Sequence, residues 1–203
     1  MDLGLADLIF AGLTHDEGST TAFVRSGTTV YLDDTGLDHV DGLSALPNGA
    51  LLAGAEASQQ RVQLLGSSLS RIDSYELSWD SIYLAKGGAF VTVERADEEE
   101  VTISRHQLSA TPDWITRLTQ PAEVGSLVIA ADADVERVLV AGLVAGSDEP
   151  VAWFALLDGA GELQWLDRVA GIESLHDIAV NGSSIVFAAR RGEDLTIYGF
   201  IPK

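Results

Sequence analysis

Val151–Arg190 reads VAWFALLDGAGELQWLDRVAGIESLHDIAVNGSSIVFAAR. Its apolar, β-prone runs are broken at Asp158-Gly159-Ala160-Gly161 and at Asn181-Gly182, residue types that accept the positive φ of tight turns. Four short strands fit this pattern.

Weaker copies of the same unit extend over most of the remaining chain. Each has one most apolar run: Leu8–Gly12, Ala50–Gly54, Phe90–Glu94, Val138–Gly142 and Ile185–Ala189, with last residues 40 to 48 positions apart. A repeat of that length supplying four strands is the blade of a β-propeller. The predicted fold is therefore all-β, a propeller of about five four-stranded repeats near 1–39, 40–74, 75–123, 124–173 and 174–203 within one domain.

Strands are lettered A to D from the inside of a blade outward, with the apolar run as B. A strands are expected at Val40–Leu46, Leu77–Ala85, Ser126–Ala131 and Leu175–Val180, and C strands at Thr21–Arg25, Arg61–Leu65, Glu100–Arg105, Val151–Leu157 and Leu195–Phe200. D strands are expected at Thr29–Leu32, Leu69–Ile72, Trp114–Leu118 and Leu163–Val169. The first repeat thus has no A strand and the last no D strand, leaving one blade incomplete at the termini. Either a five-bladed ring closes with a short blade, or a homo-oligomeric copy or a longer parent chain completes it.

The chain has 203 residues, 12 Lys+Arg against 31 Asp+Glu, and a net charge of −19. That charge repels phosphate backbones and anionic lipid, so no nucleic-acid partner is expected. It favours a protein or other cationic partner, although acidity is also a common route to solubility. The chain has no cysteine, which removes disulfides, thiolate metal sites and a Cys nucleophile. The N-terminal MDLGLADLIFAGL has acids where a signal peptide has Lys or Arg, and its apolar run is too short to span a bilayer. A soluble chain with no signal peptide and no membrane insertion is expected, its compartment unassigned.

In an antiparallel blade, A–B and C–D turns share one face of the disc, and B–C and D–A connections share the other. The B–C connections hold ten acids, including Asp16, Glu17, Asp97, Glu98, Glu99, Asp148, Glu149, Glu193 and Asp194. The D–A segments add Asp33, Asp34, Asp38, Asp73, Glu76, Glu123 and Glu173, so more than half of the 31 acids fall on one predicted face. It reads as a docking surface for a protein or cation, or as solvated charge. No cofactor is expected; Ca²⁺ is the ion such loops would hold. Asp132-Ala-Asp134-Val-Glu136 begins like a Ca²⁺ loop, but Arg137 stands where the sharp-turn Gly belongs, so it reads as a hairpin.

Trp114 and Trp165 occupy matching D positions, with Tyr31 near the equivalent place in the first repeat. This recurrence predicts an aromatic between blades with an Arg stem packed over it, sugar stacking being the functional alternative. Trp153 is expected in the core. His15, His39, His106 and His176 are scattered and lack a metal-ligand spacing, so they read as exposed loop residues; His39 and His176 stand beside acids that could join a metal or acid–base site. No G-x-S-x-G, G-x-G-x-x-G or G-K-[ST] string occurs. An enzyme would need carboxylates converging in the central depression, for which Asp41, Asp80 and Asp177 on A strands are the candidates; their separation would discriminate, about 5–5.5 Å fitting retaining and about 6.5–9.5 Å inverting glycoside hydrolysis.

Phe154, Leu157, Asp158, Gly161, Trp165, Gly171, Ile178, Ala179 and Val180 carry a resemblance to bacterial β-propeller repeats of the SBBP-like type, which are also similar to quinoprotein-like propeller repeats. The match covers about two repeats. Asn181-Gly182 replaces the acidic turn, the second and third repeats lack the Gly–Trp spacing, and no quinoprotein cofactor-docking pattern is present. The resemblance implies a propeller and an exported or cell-surface bacterial protein, and it implies no catalytic residues. The expectation is a non-enzymatic binding or scaffold module. Its alternatives are a glycan- or small-molecule-processing hydrolase and a fragment of a larger propeller protein.

Overall fold

A computed structural model describes residues 9–16, 19–26, 29–32, 37–97, 99–119, 124–132, 135–144, 150–181 and 184–201. They hold eighteen strands in five antiparallel meander sheets, and no described helix is long and apolar enough to cross a membrane. The chain divides into two compact units, Met1–Ser78 with Leu108–Ala110, and Trp79–Gln107 with Thr111–Lys203.

In the first unit, β1 (Ile9–Asp16), β2 (Ser19–Ser26) and β3 (Thr29–Leu32) form a three-stranded sheet. β4 (His39–Leu46), β5 (Gly49–Glu56), β6 (Gln59–Leu65) and β7 (Arg71–Leu77) form a four-stranded one. Strand alternation gives each sheet two usable faces. Ala22 and Val24 meet Ala50, Leu52 and Leu65 between the two sheets, all fully buried.

The second unit contains β8 (Ser81–Leu84), β9 (Ala89–Arg95), β10 (Glu100–Gln107) and β11 (Trp114–Thr119), followed by β12 (Val124–Ala131), β13 (Arg137–Val144), β14 (Val151–Asp158) and β15 (Leu163–Ala170). A three-stranded sheet of β16 (Ser174–Asn181), β17 (Ser184–Arg191) and β18 (Asp194–Phe200) completes it. The first strands neighbour one another, with β12 in contact with both β8 and β16.

Both faces of the β12–β15 sheet are covered, which explains why β13 and β14 read as nearly continuous apolar runs. Val138, Val140, Trp153, Ala155 and Leu157 pack on Val91, Val93, Val101 and Ile103 of the preceding sheet. Leu139, Ala141, Ala152 and Phe154 pack on Ile178, Ile185, Phe187 and Ala189 of the following one. Each such fully buried large side chain contributes about 1.5–3 kcal/mol relative to exposure.

Gly12 and Gly142, each ending an apolar run after an alanine, share a packing cause. Gly142 pairs across the sheet with Trp153, whose indole occupies the space a side chain would take; a Cβ there would lie 2.7 Å from Nε1. Gly12 and Phe23 repeat the arrangement, at 2.9 Å from the ring.

The eighteen expected strands are all present, and the two absent ones remain absent among the described residues. Several boundaries shift, and two of the shifts have a packing cause. The fourth strand of the second sheet begins at Arg71 rather than Leu69, because Leu69 turns into the core with φ 57 and only 3% exposure. β8 is only Ser81–Leu84, because Trp79 buries itself ahead of the strand.

Candidate binding face

Within every sheet the second-to-third-strand turn lies at the end where the first strand begins. Carboxylates at this end are used as backbone latches. Asp38 Oδ2 accepts from Ala57 N at 3.1 Å, Asp80 Oδ2 from Arg95 N at 2.6 Å, and Glu173 Oε1 from Gly192 N at 3.2 Å. In each case an acid entering the first strand satisfies an amide at the end of the second strand or in the turn after it. A charge-assisted bond of this kind holds a turn whose amides lack ladder partners.

The β9–β10 turn is built in a related way. Asp97 Oδ1 accepts from the amides of Glu99 and Glu100 at 2.8 and 2.7 Å. Asp97, Glu99, Glu100 and Thr119 line an open depression of ≈ 380 Å³. Arg117 Nε lies 3.8 Å from Glu100 Oε1 at its rim. Glu193 and Asp194 are exposed at the equivalent β17–β18 turn. Asp16 is the last residue of β1, while Glu17, Glu98, Asp148 and Glu149 lie outside the described residues, as do Asp33, Asp34 and Glu123.

The three carboxylates considered for hydrolysis are engaged locally. Asp41 Oδ1 lies 2.9 Å from His39 Nε2 on β4, Asp80 holds Arg95 N, and Asp177 Oδ1 accepts from Ile178 N at 2.8 Å on β16. Asp41 belongs to the first unit, and Asp80 and Asp177 to the second. No group of three His, Asp or Glu among the described residues is arranged to hold a metal. Asp132 makes a turn, its Oδ1 accepting from Glu136 N at 2.8 Å and Arg137 N at 3.3 Å; Asp134 lies outside the described residues.

Three first strands carry a β-bulge, between Val40 and Gly42, Val124 and Leu127, and Leu175 and Asp177, the first two at a strand glycine, Gly42 and Gly125. Asp41 and His176 are the extra residues of the first and third. A bulge redirects side chains at the end of a sheet, which is why adjacent residues there leave strict alternation. Period-two reading counts these positions as ordinary strand.

The histidines differ from the expectation of exposed loop residues. His39 and His176 are exposed but on strands, with His176 Nε2 3.0 Å from Ser174 Oγ. His106 is buried on β10 and stacks on Phe90 with ring centroids 4.7 Å apart. His15 is in β1. The aromatic between sheets is found as expected at Trp114, but Arg117 does not pack over it. Three residues apart on a strand puts the two on opposite faces, and Arg117 is 70% exposed beside Glu100.

No family model matches the chain, and no curated protein matches it in sequence. Solved structures do match in shape. The β-propeller domain of the Trilobed protease from Pyrococcus furiosus superposes with TM-score 0.60 at 11% identity, over 96% of this chain and 64% of that one. The fold is that of a β-propeller. Kuenenia stuttgartiensis hydrazine synthase matches this propeller chain with TM-score 0.53 at 12% identity, over 83% of this chain and 52% of that one. Pyrococcus horikoshii acylaminoacyl peptidase matches with TM-score 0.51 at 13% identity, over 80% and 30%. The propeller chain thus spans less than two thirds of each of these structures, and identities this low carry the fold and nothing of their chemistry.

Proposed function

We propose that the chain is a non-enzymatic binding or scaffold propeller that presents its acidic turn face to a cationic segment of a protein partner. One observation carries this reading: in the second unit, Asp97, Glu99, Glu193 and Asp194 are exposed carboxylates at the same ends of their sheets, on a chain of net charge −19. Such a field steers a basic partner, raising its association rate and weakening with salt. The local bonds of Asp41, Asp80 and Asp177 support a non-enzymatic reading, since each carboxylate already serves the backbone or a neighbouring side chain.

The test is titration of an oligolysine peptide by calorimetry at low ionic strength and at about 0.15 M salt, where the screening length falls to about 8 Å. Binding should weaken with salt and weaken again in a Glu99→Gln, Glu193→Gln, Asp194→Asn variant. Absence of binding at low salt, or binding the triple variant leaves unchanged, would sink the reading.

A further inference from the structure

The repeat allows each sheet's two faces to be compared position by position. In β13 and β14, Leu139, Ala141, Ala152 and Phe154 form the face that packs on the next sheet, and all four are fully buried. The ladder partners Leu143↔Ala152 and Ala141↔Phe154 align them with Arg190↔Leu195 and Ala188↔Ile197 in β17 and β18. The equivalent positions of the last sheet are therefore Val186, Ala188, Leu195 and Ile197. Val186 is 42% exposed, Leu195 67% and Ile197 75%. This face is apolar at Val186, Ala188, Leu195 and Ile197, carries the exposed Arg190 where β13 has Leu143, and is uncovered at Val186, Leu195 and Ile197. No described strand pairs with the outer edge of β18. An apolar face beside an unpaired edge is what protein surfaces ordinarily avoid.

The chain also contains the counterpart. In the β12–β15 sheet the opposite face, with Trp153 lying over Gly142, receives the preceding sheet. Its equivalent in the first sheet carries Thr21, Phe23 and Arg25, with Phe23 lying over Gly12 in the same way, and no described strand precedes β1. Among the described residues the last sheet has three strands, β16–β18, and the first three, β1–β3, and the two surfaces occupy successive places of the repeat.

We propose that the outer face of β16–β18 docks on the β1–β3 sheet of a second copy of this chain, so that copies associate head to tail. The contact is heterologous: each copy contributes a different surface. It extends a sheet-on-sheet interface that the chain already builds between β12–β15 and β16–β18. It begins at Leu195, directly after the acidic Glu193-Asp194 turn, but has the opposite salt dependence, because salt screens repulsion between copies of charge −19 and leaves apolar burial in place.

Sedimentation velocity over a concentration series at about 0.15 M and higher salt tests it. The wild-type chain should exceed monomer mass as concentration rises, more so with salt. Ile197→Glu and Arg25→Glu should each shift association to at least about tenfold higher concentration, since the first buries an unpaired charge and the second reverses one. An equimolar mixture of the two variants should recover a species of two copies and no larger, because one intact surface of each kind remains. Leu195→Glu and Phe23→Glu are the second pair, used if circular dichroism shows either first variant unfolded. A wild-type monomer at every concentration, self-association of folded Ile197→Glu at wild-type strength, or a mixture that stays monomeric would each overturn the proposal.

Discussion

Trp114 Nε1 donates to the carbonyl oxygen of Gly159 at 2.9 Å, and its indole lies over Gly161, forty-seven residues away in the turn of the following sheet. Gly161 has φ +81, and a Cβ there would stand 2.7 Å from the indole, so two independent constraints require glycine. Thr116 Oγ1 adds a bond to Gly161 O at 2.5 Å. Trp114→Phe removes the hydrogen bond and part of the indole that covers Gly161, an expected loss of about 1–2 kcal/mol. Gly161→Ala should cost more, about 2–4 kcal/mol, by adding left-handed strain to a steric overlap. Urea denaturation followed by circular dichroism gives both values; a Gly161→Ala chain as stable as wild type would refute the packing account.

Tyr31 Oη donates to Gln63 Oε1 at 2.9 Å, and Gln63 is fully buried on β6. Removing the donor takes one hydrogen bond from a buried amide, so Tyr31→Phe should destabilise the first unit by about 1 kcal/mol. Replacing both partners, as Tyr31→Phe with Gln63→Leu, should be milder than the sum of the single changes. A double-mutant cycle with no coupling would contradict this pairing.

Ala57 and Ser58 both have positive φ, 46° and 79°, in the two-residue turn joining β5 to β6. This is the twist a tight hairpin demands, met here without glycine. Because left-handed backbone costs an L-residue roughly 1–2 kcal/mol, Ser58→Gly should raise the melting temperature although no contact is added. A lower melting temperature would mean that the gain in chain entropy on unfolding outweighs the relieved strain.

Burial and then the Asp73 carboxylate raise the Tyr75 phenol above its ordinary value of 10.0; burial and then Asp132 do the same for Tyr83. In both cases the folded chain holds a proton that the unfolded chain releases near pH 10. The stability linked to these groups is present below pH 10 and falls as pH rises past it. Tyrosinate absorbance at 295 nm should show two late-titrating phenols, and Tyr75→Phe with Tyr83→Phe should flatten the alkaline loss of stability. Titration of all tyrosines together at the ordinary value would remove the basis for this prediction.

The strands were legible because each repeat states its own period: an apolar run every 40 to 48 residues, with turn chemistry between. β3 and β11 begin where the turn residues end, at Thr29 and Trp114. Leu69 reads as the start of a strand because an apolar residue in a buried turn has the same local pattern in sequence. His106 looked like a surface histidine because its polarity says nothing of Phe90 stacked against it.

The candidate face was only half legible. The position of acids in the second-to-third-strand turns follows from strand phase, but the engagement of Asp38, Asp80 and Glu173 by backbone amides depends on atoms 15 to 19 residues distant. Local pattern determined the five repeats and the meander order of each sheet, because hydrogen-bonded hairpins and face alternation are short-range properties. Tertiary structure alone decided which faces are covered. Leu139 and Val186 hold the same place in their repeats and read alike, yet one is fully buried and the other 42% exposed. Burial depends on whether another sheet lies against that face, and no property of the strand itself encodes its neighbour's presence.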